Sequence, residues 1–287
     1  MKQIDEIFKI LDGLFADNKI DQVEPFLLEC LEQAKEENAY GIYLSVGNEL
    51  IGFYRSVSWF EKAFNISEDV LLLMEELQME DTEHFATTLL NVATAYRAAG
   101  RIAESYQYYM RALMIYEKKL SPDDYRFAGL YNNMSILLEQ MGENQKAAMF
   151  LERAINIVSK LDDSRMELAT SKTNLALIYF KMNKEQEAEK ELEEALMIFR
   201  ENGENTDPQY AAALSGMGEA WYRQGRLSRA LEAYEESVRE VEKHFGKNAS
   251  YGLLCGNCSM IAAQLGDQKK AAYYEKEKNL YTQAADL

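Results

Sequence analysis

Proline is nearly missing from this sequence, with 3 copies among 287 residues, and glycine is modest at 15. That scarcity excludes a chain built from many tight turns, and the abundance of Ala, Leu, Glu, Lys, Tyr and Met favours long helices. Cysteine is scarce too. Its 3 copies are an odd number, which does not fit a secreted disulfide framework and points to a reducing compartment. Positive charge is in deficit, 31 Lys and Arg against 48 Asp and Glu, for a net charge of -17. Nucleic-acid affinity comes largely from cations that displace phosphate counterions, so this balance argues against a nucleic-acid partner. Long apolar runs are lacking as well. Asp5, Glu6 and Asp12 interrupt the N-terminal stretch where a signal peptide needs a continuous apolar core, and no later run reaches the roughly 20 apolar residues of a membrane span. The expectation is a cytoplasmic, all-α protein with no membrane partner.

Catalytic constellations are equally scarce. His84 and His244 lie far apart in sequence, and there is no glycine-rich phosphate loop and no paired-metal spacing. Cys255-Gly256-Asn257-Cys258 has C-x-x-C spacing, yet no second Cys pair accompanies it and both sulfurs fall on helix-packing positions, so the expectation is buried free thiols. No cofactor, metal or enzymatic activity is expected.

What the sequence does contain is a repeat. Helix-breaking positions recur at Asn18, Ser58, Gly100, Gly142, Asn183, Gly225 and Gly266, 40 to 42 residues apart. Gly and Asn tolerate the left-handed conformation that commonly ends a helix. Seven before each break stand Leu11, Ile51, Ala93, Ser135, Ala176, Gly218 and Ser259. Five after come Val23, Ala63, Ser105, Ala147, Ala188, Ala230 and Ala271, and twelve after come Cys30, Val70, Ala112, Ala154, Ala195, Ser237 and Lys278. Small residues recurring at these offsets let two helices approach closely. In the third unit the pattern reads Val92, Ala93, Tyr96, Gly100, Ser105, Tyr109, Ala112; in the sixth, Met217, Gly218, Trp221, Gly225, Ala230, Tyr234, Ser237.

This wording resembles the tetratricopeptide repeat family, and seven copies in register make the resemblance a strong fold signal. The period of about 42, longer than the usual 34, is similar to the kinesin light chain type. The extra residues fit longer helices and loops such as 120–124, 202–208 and 244–248. The resemblance implies an all-α, right-handed solenoid of about seven hairpins and fourteen helices, a single domain over 1–287 with repeats near 3–39, 40–81, 82–124, 125–166, 167–207, 208–249 and 250–287. Departures fall at the ends, where the seventh unit has Glu275 and Lys278 at apolar and small positions; a terminal repeat has one face without a neighbour. No room is expected for a DNA-binding helix-turn-helix.

In this family the first helix of each unit lines a concave groove, and the helical period then turns positions nine, ten and three before the break inward. Nine before the break the row contains Asn91, Asn133, Asn174 and Asn257, with Asn48 and Asn132 one residue earlier and Thr87, Thr94 and Thr173 on the same side. An amide offers both a donor and an acceptor, matching the paired groups of an extended peptide backbone; the alternative role is packing between first helices. Near three before the break stand Arg55, Arg97, Lys181 and Arg223, suited to a ligand carboxylate or, alternatively, to ion pairs with Glu49, Glu139 or Glu219. Tyr96, Tyr109, Tyr131, Tyr179, Trp221 and Tyr234 are expected in the core, while Phe180 and Tyr222 fall where they could shape a pocket. The function expected is a protein- or peptide-binding scaffold that holds an extended segment in the groove. The alternative is a regulatory sensor like the bacterial seven-repeat peptide receptors, without a DNA-binding domain.

Overall fold

The computed structural model describes residues 3–17, 19–161, 163–201 and 208–282. It packs as two compact units, 1–137 and 138–287, that divide within α7. The first unit comprises α1 (Ile4–Ala16), α2 (Ile20–Glu36), α3 (Tyr40–Ser56), α4 (Phe60–Glu76), α5 (Glu83–Ala98), α6 (Ile102–Lys119) and most of α7 (Arg126–Gln140). The second holds the end of α7, then α8 (Asn144–Val158), α9 (Arg165–Lys181), α10 (Glu185–Glu201), α11 (Pro208–Arg223), α12 (Leu227–Phe245), α13 (Ala249–Gln264) and α14 (Gln268–Thr282). Among the described residues there are fourteen helices and no strand, an all-α array of tandem hairpins of the solenoid type. Successive helices pack on one another from α1 to α6 and from α8 to α14, and α3 also meets α5, as α9 meets α11.

Ser58, Gly100, Gly142, Asn183, Gly225 and Gly266 all take a left-handed backbone, with φ between 55° and 83°. Asn18 lies outside the described residues. Each of the six closes its first helix in the same way: the N–H of Gly100 donates to Arg97 O and that of Arg101 to Tyr96 O, while Ser58 and Trp59 repeat this on Arg55 and Tyr54. These paired bonds satisfy carbonyls that would otherwise end the helix unpaired. Glycine adopts this conformation without a Cβ penalty, and Ser58 and Asn183 carry it at a cost of about 1 kcal/mol. Asn38, Gln78 and Gly246 make the corresponding turns between hairpins. Of the three long loops, 202–207 lies outside the described residues.

The small-residue series is the core. All seven residues at the position five after the break are buried, as are the seven at the position seven before it. Where a serine stands in the series its hydroxyl is satisfied, by Asn132 O three residues back at 2.7 Å for Ser135 and across the helix pair for the others. Ser105 Oγ donates to Ala93 O at 2.8 Å, Ser259 Oγ to Ala271 O at 3.0 Å and Ser237 Oγ to Ala211 O at 2.9 Å. A hydroxyl buried without such a partner would cost about 1–3 kcal/mol. Gly218 shows how close the helices come, since a Cβ there would lie 2.8 Å from the ring of Tyr234. Tyr109, Tyr131 and Tyr234 are buried; Tyr96, Tyr179 and Trp221 are half-buried at the hairpin edges. Lys278, the one departure in the series, lays its stem against Gly256 and its ammonium 3.1 Å from Glu275.

Candidate functional site

In the first unit the amide row stands on α3 and α5. Asn48 donates from Nδ2 to Leu44 O at 2.9 Å, one turn back, and to Thr88 Oγ1 at 3.0 Å on the neighbouring helix. Its Oδ1 accepts from Asn91 Nδ2 at 2.8 Å. Asn48 and Asn91 thus join α3 to α5 through a chain of polar contacts, with Thr88 buried at its end. Both amides line a cleft of about 480 Å³ with Phe8, Glu49, His84 and Thr87. Partial desolvation there, with the nearby charge of Asp12, raises the Glu49 carboxyl above its ordinary range.

The hydroxyls are oriented by the core. Thr94 donates to Leu90 O at 2.8 Å, so Tyr109, fully buried, donates its own O–H to Thr94 Oγ1 at 2.8 Å. Thr87 and Tyr116 repeat this arrangement at 2.9 Å. Burial raises the Tyr109 hydroxyl's affinity for its proton, and Thr94, Arg97 and Arg55 oppose that rise. Arg55 and Arg97 therefore bring two positive charges toward one phenol. Both sit in the last turn of their helices, where a cation complements the helix dipole. Arg97 Nε is buried without a hydrogen-bond partner, and among the described residues neither arginine pairs with a carboxylate. On α7, Asn132 and Asn133 each donate to a carbonyl one turn back, Ala128 and Gly129, at 3.0 Å.

The second unit treats its row differently. Lys181 pairs with Glu139, and Arg223 Nε donates to Glu219 at 2.7 Å. The Arg223 guanidinium also sits 5.9 Å from the Phe180 ring. Phe180 is only 4% exposed and belongs to the core of α9–α11, so its ring is a floor beneath Arg223 rather than an open pocket wall. Tyr222 is half-buried, accepting from Gln264 Nε2 at 3.1 Å. Asn174 is half-buried on α9 and has interactions of its own. Thr173, which the helical period turns inward, is fully buried and donates to Ala169 O at 2.9 Å. Asn257 lines a separate cleft among α11, α12 and α13. The cysteines are free and buried. Desolvation pushes the Cys255 thiol up to about 11 and that of Cys258 higher still, so neither is a ready nucleophile or ligand.

Sequence reasoning missed Thr88, the partner that anchors Asn48, and the apolar cleft residues Phe8, Phe245 and Leu253. Thr88 carried a signal, since a hydroxyl twelve before one break faces an amide ten before the preceding one once the first helices are set side by side.

The tetratricopeptide repeat family model matches residues 84–160 and 167–239, just over half the chain. The chain belongs to the tetratricopeptide repeat family. Its long repeats are of the kinesin light chain type, matching kinesin light chain-related protein 3 of Arabidopsis thaliana at 24% identity over 82% of the chain. The tetratricopeptide chain spans 37% of that relative's length. Among solved structures, BtubC (BKLC) from P. vanneervenii matches with a TM-score of 0.65 and 21% identity, covering 79% of this chain and 91% of that one. The apo form of RapI matches with a TM-score of 0.69 at 12% identity, covering 96% and 76% respectively. At these identities the structures speak for the fold alone. Membership of the repeat family supports a protein–protein interaction scaffold, and among the described residues no helix is long and apolar enough to cross a membrane.

Proposed function

We propose that this tetratricopeptide repeat protein is a non-enzymatic scaffold that holds an extended, acidic peptide segment of a partner protein along its first helices. The observation that carries the reading is the pair Arg55 and Arg97. They occupy the same repeat position on adjoining helices of a chain with net charge -17, yet no carboxylate of the described protein neutralises them, and Arg97 Nε is buried without an acceptor. A ligand carboxylate would answer their charge through charge-assisted bonds to the guanidinium groups. Asn91, Asn133, Asn174 and Asn257 would hold the peptide backbone, with Asn48 and Asn132 supporting them. Arg223 above Phe180, with Tyr222 beside them, would form a secondary contact. The acidic net charge disfavours nucleic acid, and three free thiols fit a cytoplasmic setting.

The test selects twelve-residue peptides on the full chain from a displayed random library and titrates the enriched sequences by calorimetry. Enrichment of acidic sequences is expected, with binding weakened at least tenfold in a combined Asn91→Ala, Asn133→Ala, Asn174→Ala variant. Unchanged binding by a normally folded triple variant would remove the amide assignment. Small-angle scattering of the same titration separates scaffold from regulatory sensor, since a sensor must change its profile on binding and a scaffold need not.

A further inference from the structure

The cleft among α11, α12 and α13 in the second unit has a different chemistry from the basic row. It encloses about 440 Å³, within the roughly 300–1,000 Å³ typical of ligand pockets. None of its eleven lining residues is charged, in a chain where 28% of residues are. Ala212 and Ser215 on α11 are small and make the room. Leu253 on α13 and Phe245 at the end of α12 form apolar walls and are left 66% and 41% exposed. An uncharged lining excludes a charged occupant, which would lose its hydration with nothing to replace it.

The polar group at this cleft is also unlike its counterparts. Asn257 and Ser215 occupy the repeat positions that Asn91 and Asn48 occupy in the first unit. There the two amides bond each other. Here serine replaces the second amide and is too short to reach, so among the described residues the Asn257 amide has no partner within the protein. It keeps a donor and an acceptor for a peptide group beside the cleft.

We propose that this cleft receives one uncharged apolar side chain, aliphatic or aromatic, of a bound peptide, and that Asn257 holds the adjoining peptide group. The proposal rests on the peptide-holding reading for the identity of the ligand, and its test does not depend on that reading. The full chain, labelled at Leu, Ile and Val methyl groups, is titrated with the N-acetyl methylamides of leucine, phenylalanine, lysine and glutamate at millimolar concentration, and methyl shifts are followed by NMR.

Saturable shifts at Leu253, Leu254 and Val241 are expected with the leucine and phenylalanine probes and not with the lysine and glutamate probes. Ala212→Phe, which fills the cleft from a half-exposed position, abolishes them. Ser250→Asp, which places a charge on the exposed rim, weakens the apolar probes at least tenfold. Absence of shifts, equal shifts with charged probes, or shifts that survive both variants would overturn the proposal. Library peptides that bind while these methyls stay unmoved would overturn it and leave the scaffold reading intact. Binding of the capped residues without any library peptide would uphold the cleft and sink the scaffold reading.

Discussion

In the first unit the cations at the ends of the first helices, Arg55 and Arg97, have no carboxylate partner among the described residues; in the second, Lys181 is held by Glu139 and Arg223 by Glu219. The repeat pattern is the same, and the difference comes from single neighbours. Four residues before Arg223 stands Glu219, one helical turn away, whereas four before Arg55 and Arg97 stand Ile51 and Ala93, both core residues. Three before their breaks, α7 carries Glu139 where α3 and α5 carry Arg55 and Arg97. Like charges on neighbouring helices repel, and an external anion relieves that repulsion. The amides run the opposite way. Asn48 and Asn91 bond each other in the first unit, which leaves Asn91 its carbonyl oxygen and one amide hydrogen, while among the described residues Asn257 has no partner in the second. Position within a repeat therefore sets which row a side chain stands on, and the adjoining helix decides whether it remains available to a ligand.

The largest expected effect separates the two cation sets directly. Replacing Arg55 and Arg97 with Ala should weaken a selected acidic peptide by roughly ten- to a hundredfold, in line with about 1.5–3 kcal/mol for hydrogen bonds to charged groups. Replacing Lys181 and Arg223 should cost roughly threefold or less, because exposed pairs contribute only about 0–1 kcal/mol and those cations are already neutralised. Calorimetric titration of both double variants checks this, and equal losses would erase the distinction between the units. Next in size is a difference in stability. Asn48→Ala leaves Thr88 and Asn91 without their partner and should lower the local opening free energy of α3 and α5 by about 1–3 kcal/mol, read from amide hydrogen exchange. Asn257→Ala removes no bond among the described residues and should stay within about 0.5 kcal/mol.

Much of the fold was legible because it is written in steric requirements that recur. A left-handed backbone at the break and a small side chain where helices cross leave the same mark in every repeat, so Gly100 and Ala112 could be read without coordinates. Even Ser58, which lacks the expected Gly or Asn, was located by its spacing. The candidate site was legible only as far as the helical period reaches. It set Asn91 and Arg97 on recurring rows, but it also suggested a pocket role for Phe180, whose neighbours on α10 and α11 bury it. The bond between Asn48 and Thr88 depends on how two first helices lie side by side, and the cleft at Leu253 depends on what a serine fails to fill. Neither is a property of one repeat.

The smallest expected effect concerns pH, and it has opposite signs at two carboxylates, one in each unit. Glu277, nearly buried on α14, accepts from Lys247 Nζ at 2.6 Å and Tyr251 Oη at 2.7 Å, which hold its carboxyl below the ordinary carboxylate value of 4.5. Such a group adds stability above its unfolded pKa and loses it as pH falls through the lower folded value. Glu49 is raised instead, first by desolvation and then by Asp12. Its ionisation works against folding, so its contribution is fully favourable below 4.5 and is lost as pH rises through the raised folded value. Acidification should accordingly reduce hydrogen-exchange protection in α13 and α14, while around α3 the gain at Glu49 offsets the loss at Glu24, whose carboxylate is also held low and accepts from Tyr54 on α3 at 2.9 Å. Glu277→Gln should flatten the acid response of the last hairpin, and Glu49→Gln should raise protection of α3 at neutral pH with an advantage that disappears below the ordinary carboxylate range. If both hairpins lose protection in parallel and neither variant alters the profile, the contrast between the networked Glu277 and the desolvated Glu49 is wrong.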